Sequence, residues 1–312
     1  MDSKNEEVFL GIEIGGTKLQ LVTGDASATI NERVRYSINA AEGAAGIRKQ
    51  IREGIQQILQ TNKVKSIGVG FGGPVDWKTG AIQLSHQIEG WGNFNLKTWL
   101  QDVTGIPVAI DNDANTAALA EAKHGCGKGY NTVFYMTIGS GIGGGMVINE
   151  EIYHGRIPGE VEIGHIRLDK SGVTLEKKCS GWAVNKKASD QIHKNPTSRL
   201  AKLSEKDPVP GAYLLTPALA EKDADAIMIV DEIADDLAFA LSHVVHLFNP
   251  EVIIIGGGLS LLKENLRIPV TEKLPQYLLK ALLPAPTINM AALGEDVVPI
   301  GALELAKAAL NH

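Results

Sequence analysis

A short apolar run that breaks into glycines and resumes as a second apolar run occurs twice in this chain. Val8-Phe9-Leu10-Gly11-Ile12-Glu13-Ile14 leads into Gly15-Gly16-Thr17-Lys18, and the apolar stretch 19–23 follows. Later, Thr132-Val133-Phe134-Tyr135-Met136-Thr137-Ile138 leads into Gly139-Ser140-Gly141-Ile142-Gly143-Gly144-Gly145, and Met146-Val147-Ile148-Asn149 follows. Short β-branched runs bounded by glycine read as buried strands, and strand, glycine turn, strand reads as a hairpin. The same unit opening each half of the chain implies an internal duplication: two lobes of one plan, and facing lobes make a cleft.

The remaining pattern is α/β. A third strand is expected over 29–38. Ile47, Ile51, Ile55, Ile58 and Leu59 recur at three- and four-residue spacing, which predicts an amphipathic helix over 44–59. Residues 65–74 read as a strand running into Gly72-Gly73-Pro74, residues 108–110 as a short strand, and the Ala-rich stretch 115–124 as a helix. Residues 182–250 read mostly helical, closing with a long segment over 224–248. A buried strand at 251–255 precedes Gly256-Gly257-Gly258, and the chain closes with a strand near Ile288 and a helix over 300–310.

Bulk properties exclude several classes. The chain has 312 residues, enough for two cores. Its net charge of -6 gains nothing from counterion release on nucleic acid. Two cysteines, Cys126 and Cys179, cannot make a disulfide scaffold and suit a reducing compartment. The polar, acidic start lacks the basic and apolar stretches of a signal peptide, and no apolar run nears the ~18 residues that span a bilayer. A cytoplasmic protein is expected.

Four clusters carry chemistry. Gly15-Gly16-Thr17-Lys18 offers bare backbone N–H groups, a hydroxyl and a cation to a phosphate, although Gly-Gly is also a common turn. Five glycines within 139–145 are costly in a β-forming stretch unless something needs the bare backbone; a phosphate is one such need and a bulged hairpin the alternative. Asp111-Asn112-Asp113-Ala114-Asn115 closes a strand and opens a helix, where a carboxylate can take a proton from a hydroxyl or simply cap the helix. Glu162-Ile163-Gly164-His165 sets a carboxylate and an imidazole three residues apart, suited to sugar hydroxyls or, for His165, to a metal, although spacing alone favours a structural role.

Taken in order, these elements resemble the ROK family of sugar kinases and sugar-responsive repressors. The matching pieces are Gly11-Ile12-Glu13-Ile14-Gly15-Gly16-Thr17-Lys18, Gly70-Phe71-Gly72-Gly73-Pro74-Val75-Asp76, the Asp111 to Asn115 cluster, the glycine run 139–145, Glu162-Ile163-Gly164-His165 and Gly256-Gly257-Gly258-Leu259. The resemblance implies the actin-like ATPase (ribonuclease H-like) fold. Its small lobe would cover 1–118, completed by a C-terminal helix at 299–312, and its large lobe 119–298. It implies ATP and Mg²⁺ in the cleft, a hexose acceptor (most simply glucose) and a homodimer; charge and hydropathy add the expectation of no nucleic-acid or membrane partner. Asp113 would be the catalytic base, with Asn112, Glu162, His165 and Gly73 on the sugar. Gly15, Gly16, Thr17, Lys18, Gly139, Ser140, Gly141, Gly143 and Gly144 would hold the phosphates, and Gly256, Gly257 and Gly258 would lie near the nucleoside.

Three departures stand out. Glu13 replaces the family's aspartate and would reach Mg²⁺ through water from one methylene further out. The family's zinc motif, Cys-x-Cys-Gly-x-x-Gly-Cys, is reduced to Cys179 within Lys177-Lys178-Cys179-Ser180-Gly181-Trp182, so no zinc is expected there. The loop 168–180 would be held by ordinary contacts with Trp182 as apolar anchor, leaving His165 to the sugar. Finally, Val184 or Asn185 falls where the family has a further sugar-binding glutamate. A repressor would need a helix-turn-helix ahead of Val8, where few residues stand. A sugar-binding sensor with weakened activity is the alternative to a working hexokinase.

Overall fold

The structure, a computed structural model, describes residues 7–83, 85, 88–205 and 211–310. In chain order the elements are β1 (Val8–Ile14), β2 (Lys18–Gly24), β3 (Ile30–Ser37), α1 (Gly43–Leu59), β4 (Val64–Phe71), β5 (Val75–Asp76), β6 (Ala81–Ile82), β7 (Phe94–Asn95), α2 (Leu96–Thr104), β8 (Val108–Asn112), α3 (Asp113–His124), β9 (Thr132–Ile138), β10 (Ile142–Ile148) and β11 (Glu151–Ile152). There follow α4 (Leu175–Cys179), α5 (Gly181–Lys194), α6 (Arg199–Ser204), α7 (Leu215–Ala220), α8 (Ala224–Phe248), β12 (Val252–Gly256), α9 (Glu264–Lys273), β13 (Thr287–Met290) and α10 (Val297–Ala308).

Two five-stranded sheets repeat one plan. The first has the order β3-β2-β1-β4-β8 and the second β11-β10-β9-β12-β13. In each, a hairpin-first meander is extended by two parallel strands: β4 and β8 run parallel to β1, and β12 and β13 run parallel to β9. The duplication read from the paired glycine turns is therefore a duplication of topology. Strands buried on both faces read as continuous apolar runs, which is why β1, β4, β9 and β12 are visible in the sequence.

The chain divides into two compact units. One comprises residues 1–128, 145–160 and 293–312; the other comprises 129–144 and 161–292. The sequence sets the first boundary near 118, but α3 packs along its length against α10 and β4, so the whole helix stays with the first unit. The first sheet has α1 and α2 on one face, where Ile47, Ile51, Ile55 and Leu100 meet Leu10, Ile12, Ile67 and Val69. On the other face Leu303 and Ala306 of α10 cover Phe9 and Val22. Burying these side chains supplies roughly 1.5–3 kcal/mol each relative to exposure. A Cβ on Gly68 would lie 1.8 Å from the Ala302 carbonyl oxygen, so α10 can approach β4 only because that residue is glycine.

The second glycine run is not all turn. Gly139-Ser140-Gly141 is the turn, and Ile142 already begins β10, so Gly143, Gly144 and Gly145 lie within a strand. Helix α3 begins at Asp113, two residues before the predicted start, because Asn112 caps it. The long helix α8 matches its predicted span; Asp223 caps its start by accepting from the Ala226 N–H, and Asn249 in the left-handed region ends it. Among the described residues no helix is long and apolar enough to cross a membrane.

Candidate active site

In the first unit, three parallel strands carry the candidate residues to one edge. Glu13 of β1 pairs with Gly70 of β4, and Gly70 with Asp111 of β8. One residue on, Ile14 pairs with Phe71 and Phe71 with Asn112. The carboxyl ends of parallel strands are where α/β sheets open a crevice for ligands. There the Gly15–Lys18 turn, Gly72-Gly73 and Asp113 follow their strands directly. Gly15 closes its own turn, its N–H donating to the Lys18 carbonyl at 2.9 Å, and the Gly72 N–H donates to the Ile14 carbonyl at 2.8 Å. A Cβ on Gly72 would stand 3.5 Å from Asp113 Oδ2 and 3.6 Å from Gly15 Cα. The turn and the carboxylate thus border the same glycine.

The helix cap is the neighbour of Asp113. Asn112 Oδ1 accepts from the backbone N–H groups of Ala114 (2.8 Å) and Asn115 (3.3 Å), and its Nδ2 donates to the Gly73 carbonyl at 3.1 Å. Asn112 is the cap, and it ties Gly73 to the helix. Asp113 is released from that task and sits in the first helical turn, where its negative charge complements the helix dipole. Glu13 is half-buried. Gln20 Nε2 donates to one of its oxygens and Lys18 Nζ lies 3.3 Å from the other. Lys18, read as a phosphate contact, thus also neutralises Glu13 within the turn.

In the second unit, Gly139-Ser140-Gly141 is pinned from several sides. The Gly139 N–H donates to the Gly141 carbonyl (2.9 Å), and the Gly139 carbonyl accepts from the Gly181 N–H (2.7 Å). Glu176 Oε2 accepts from the Ile142 N–H at 2.8 Å. The parallel pairing of Gly256 with Thr137 brings Gly256-Gly257-Gly258 alongside. Gly257 has φ +78, and a Cβ there would meet the Ile138 backbone at 2.5 Å, so both conformation and space demand glycine. Beside Gly139 and Gly258 nothing stands within 4 Å of an added Cβ. Two open glycines on adjoining turns fit phosphate and nucleoside binding. Gly144 differs: a Cβ there would lie 2.7 Å from the Val161 carbonyl oxygen and 3.2 Å from Ile163, so packing alone already requires glycine. Glu162 and His165 flank a 3₁₀ turn over Ile163–His165, both exposed. The preceding Val161 has φ +59, a strained setting for a branched residue of about 1–3 kcal/mol.

The loop 168–180, where the family's zinc motif would fall, is crossed by backbone bonds. Leu168 donates to Val173 (2.8 Å) and Leu175 to Ile166 (2.9 Å). Asp169 caps its own turn: the Ser171 hydroxyl and neighbouring N–H groups hold its carboxyl below the usual range. Cys179 is fully buried, and burial, reinforced by the charge of Asp236, pushes its thiol well above the usual range. Trp182 is not the anchor the sequence suggests. It is 73% exposed at the start of α5, a helix that turns Val184 inward, and Leu175, Cys179 and Val184 fill the core instead. Asn185 accepts from the Ala212 N–H at 2.6 Å and so braces residue 212.

Sequence reasoning missed two groups. Glu176 is the brace of the glycine turn, and its only signal in the sequence is its place in the first turn of a short helix. Asp111, His154 and Glu160 place their donor atoms within 4.8 Å of one another, with Trp77 stacked on the His154 ring at 4.1 Å. Nothing in local spacing announces that cluster.

The ROK family model matches residues 9–309. A glucokinase of Halalkalibacterium halodurans is 33% identical, over 94% of this chain and 93% of that protein. The crystal structure of a ROK family glucokinase from Streptomyces griseus in complex with glucose and AMPPNP superposes with a TM-score of 0.84 at 27% identity, covering 96% of this chain and 99% of that one. A ROK family transcriptional regulator, homolog of the E. coli MLC protein, shares the fold at a TM-score of 0.86 and 23% identity; 97% of this chain covers 78% of that one. With its duplicated sheets, the actin-like ATPase fold and the family match over nearly its whole length, the chain belongs to the ROK family.

Proposed function

We propose that this protein moves the γ-phosphate of ATP onto a hydroxyl of a hexose, most simply glucose, with Asp113 as general base. It is a sugar kinase, a phosphotransferase with an alcohol acceptor. The observation that carries the reading is Gly72, bordered on one side by the Gly15 turn and on the other by the Asp113 carboxylate. Phosphoryl transfer asks little covalent chemistry of a protein; alignment and charge do most of the work. Asp113 accepts the proton of the acceptor hydroxyl as that oxygen bonds to the γ-phosphorus and the bond to the bridging oxygen of ADP breaks. Asn112 keeps one amide hydrogen for a sugar hydroxyl beyond the one given to Gly73. Glu162, His165 and Gly73 complete the sugar contacts. Gly16, Thr17, Lys18, Ser140 and Gly141 offer N–H groups to the phosphates, Gly15 and Gly139 close the two turns through their own N–H groups and leave room beside them, and Gly256 to Gly258 adjoin the nucleoside.

Mg²⁺, when bound, neutralises charge on the transferring phosphate, and Glu13 would hold it through water. Glucose is supported by glucokinases to which the chain is similar, among them the two described above. At the Cys179 loop the reading includes no zinc, since a fully buried, protonated thiol is a poor ligand. It has the enzyme working in the cytoplasm as a homodimer, consistent with two free cysteines. A coupled ADP-release assay with glucose, mannose, fructose, N-acetylglucosamine and N-acetylmannosamine tests it; turnover with none of them sinks the kinase reading. One observation favours a weakened sensor: Glu13 is longer than aspartate and engaged by both Lys18 and Gln20. Sugar binding by calorimetry without turnover in that assay would select this second reading.

A further inference from the structure

The Asp111 cluster takes no part in the proposed transfer, yet it is built more tightly than a solvated polar patch. We propose that Asp111, His154 and Glu160, with Asn115, bind one first-row divalent cation of the zinc class, at a place separate from the nucleotide's Mg²⁺ and from the Cys179 loop. His154 Nε2 lies 2.7 Å from Asp111 Oδ2. Asn115 Nδ2 lies 3.0 Å from Asp111 Oδ1 and 2.8 Å from Glu160 Oε1. The donor atoms of the three titratable residues all fall within 4.8 Å of one another.

Three features point to a cation. First, the charges do not balance: two carboxylates share one imidazole, and among the described residues no Lys or Arg forms an ion pair with Asp111 or Glu160. Asp111 is 3% exposed and is held by hydrogen bonds from His154, Asn115 and the Asn112 N–H, but by no Lys or Arg among the described residues. Second, Asn115 is also 3% exposed, its amide reaches both carboxylates, and its Oδ1 is buried without a hydrogen-bond partner. A buried orphan oxygen costs about 1–3 kcal/mol unless something satisfies it. Rotating that amide supplies a fourth donor. Third, the ring of Trp77 stacks on His154 at 15° and fixes the imidazole plane, the ordering that a ligating histidine needs.

Local structure explains the convergence. Asp111 ends β8 and Asn115 stands one helical turn further on. His154 and Glu160 bracket a tight loop, where a Cβ on Gly155 would already meet Glu160 Cβ at 3.1 Å. One nitrogen and up to three oxygens suit zinc, manganese or cobalt; Mg²⁺ prefers oxygen alone in an octahedron. Both His154 and Glu160 are half-exposed, which leaves an entry path. A cation here clamps the 154–160 loop to the strand end that carries Asn112 and Asp113.

The test uses full-length protein stripped with a chelator and dialysed. Equilibrium dialysis with Zn²⁺ is expected to show one ion bound per chain. Co²⁺ is expected to give visible absorption bands and to quench tryptophan fluorescence at the same midpoint, the quenching disappearing in Trp77→Phe. His154→Ala and Glu160→Gln should each weaken Zn²⁺ binding at least ~10-fold, the scale at which loss even of supporting groups is felt. Cys179→Ser should bind as the parent does. Absence of saturable Zn²⁺ uptake by the parent protein overturns the proposal whatever the variants do, and leaves the cluster as a hydrogen-bond network only. Uptake that survives both substitutions, or that is lost in Cys179→Ser, overturns it as well.

Discussion

The two strand–turn–strand units share a pattern but are secured in opposite ways. The first, over β1 and β2, is self-contained: Gly15 bonds to Lys18, Lys18 pairs with Glu13, and Gln20 on the partner strand grips the same carboxylate. The second, over β9 and β10, is braced from outside, by Glu176 of α4 on Ile142 and by the Gly181 N–H on Gly139. Its five glycines also do two jobs. Gly139 faces open space, whereas Gly144 and Gly145 lie against Val161 and Ala114 with no room for a Cβ. A count of glycines therefore overstates the size of a phosphate loop, because bare backbone also serves close packing.

The comparison can be broken at four points. The largest effect is expected at the first unit's neighbour, Asp113→Asn. It should lower kcat by at least ~10²-fold with a much smaller change in the sugar Kd, as for loss of a general base. Near-normal turnover would make Asp113 a plain first-turn residue. Next comes Gly144→Val, whose side chain would be driven into the Val161 carbonyl at 2.7 Å. It should cost about 2–3 kcal/mol in urea unfolding, as overpacking does. If it instead unfolds like the parent and only loses ATP affinity, Gly144 belongs to the phosphate loop and not to the packing.

Gly139→Val makes the converse case. Space at that position is open, so stability should hold within about 0.5 kcal/mol. The KM for ATP should rise on the order of 10-fold, since a branched side chain would occupy room needed by the nucleotide. Equal KM in variant and parent would return the turn to a simple hairpin. The smallest effect is expected from Glu176→Ala. Losing the acceptor of the Ile142 N–H should lower the melting free energy by about 1 kcal/mol. It should also raise the KM for ATP severalfold without altering sugar affinity. A sugar affinity that falls instead would show that Glu176 contacts the substrate.

Much of this was legible in order along the chain. The strands and α8 could be read because continuous apolar runs and three-to-four spacing are local properties of a buried element. Asn112-Asp113 was legible as a cluster, but not that the cap is Asn112, which is fixed by a bond to Gly73, far off in sequence. The start of β10 was obscured because glycine signals a turn whenever the packing that requires it cannot be seen. Trp182 misled for a related reason: its apolar character is local, whereas the face it occupies is set by Val184 and Ala188 turning inward on the same helix. Asp111, His154 and Glu160 are brought together only by the fold, across more than forty positions.

The burial of Cys179 has a consequence for how this protein meets oxidants. A thiolate-bound metal couples folding to redox state, because oxidising one sulfur releases the ion and unravels the loop it ordered. Here the same stretch is ordered by Leu175, Val184 and backbone bonds, and its one sulfur is a protonated thiol shut away from solvent, hydrogen-bonded to the Ile233 carbonyl at 3.9 Å. Peroxide reacts with exposed thiolates and finds none in this loop. On the proposed zinc-free reading, this loop therefore offers oxidants no exposed thiolate and has no bound ion to lose.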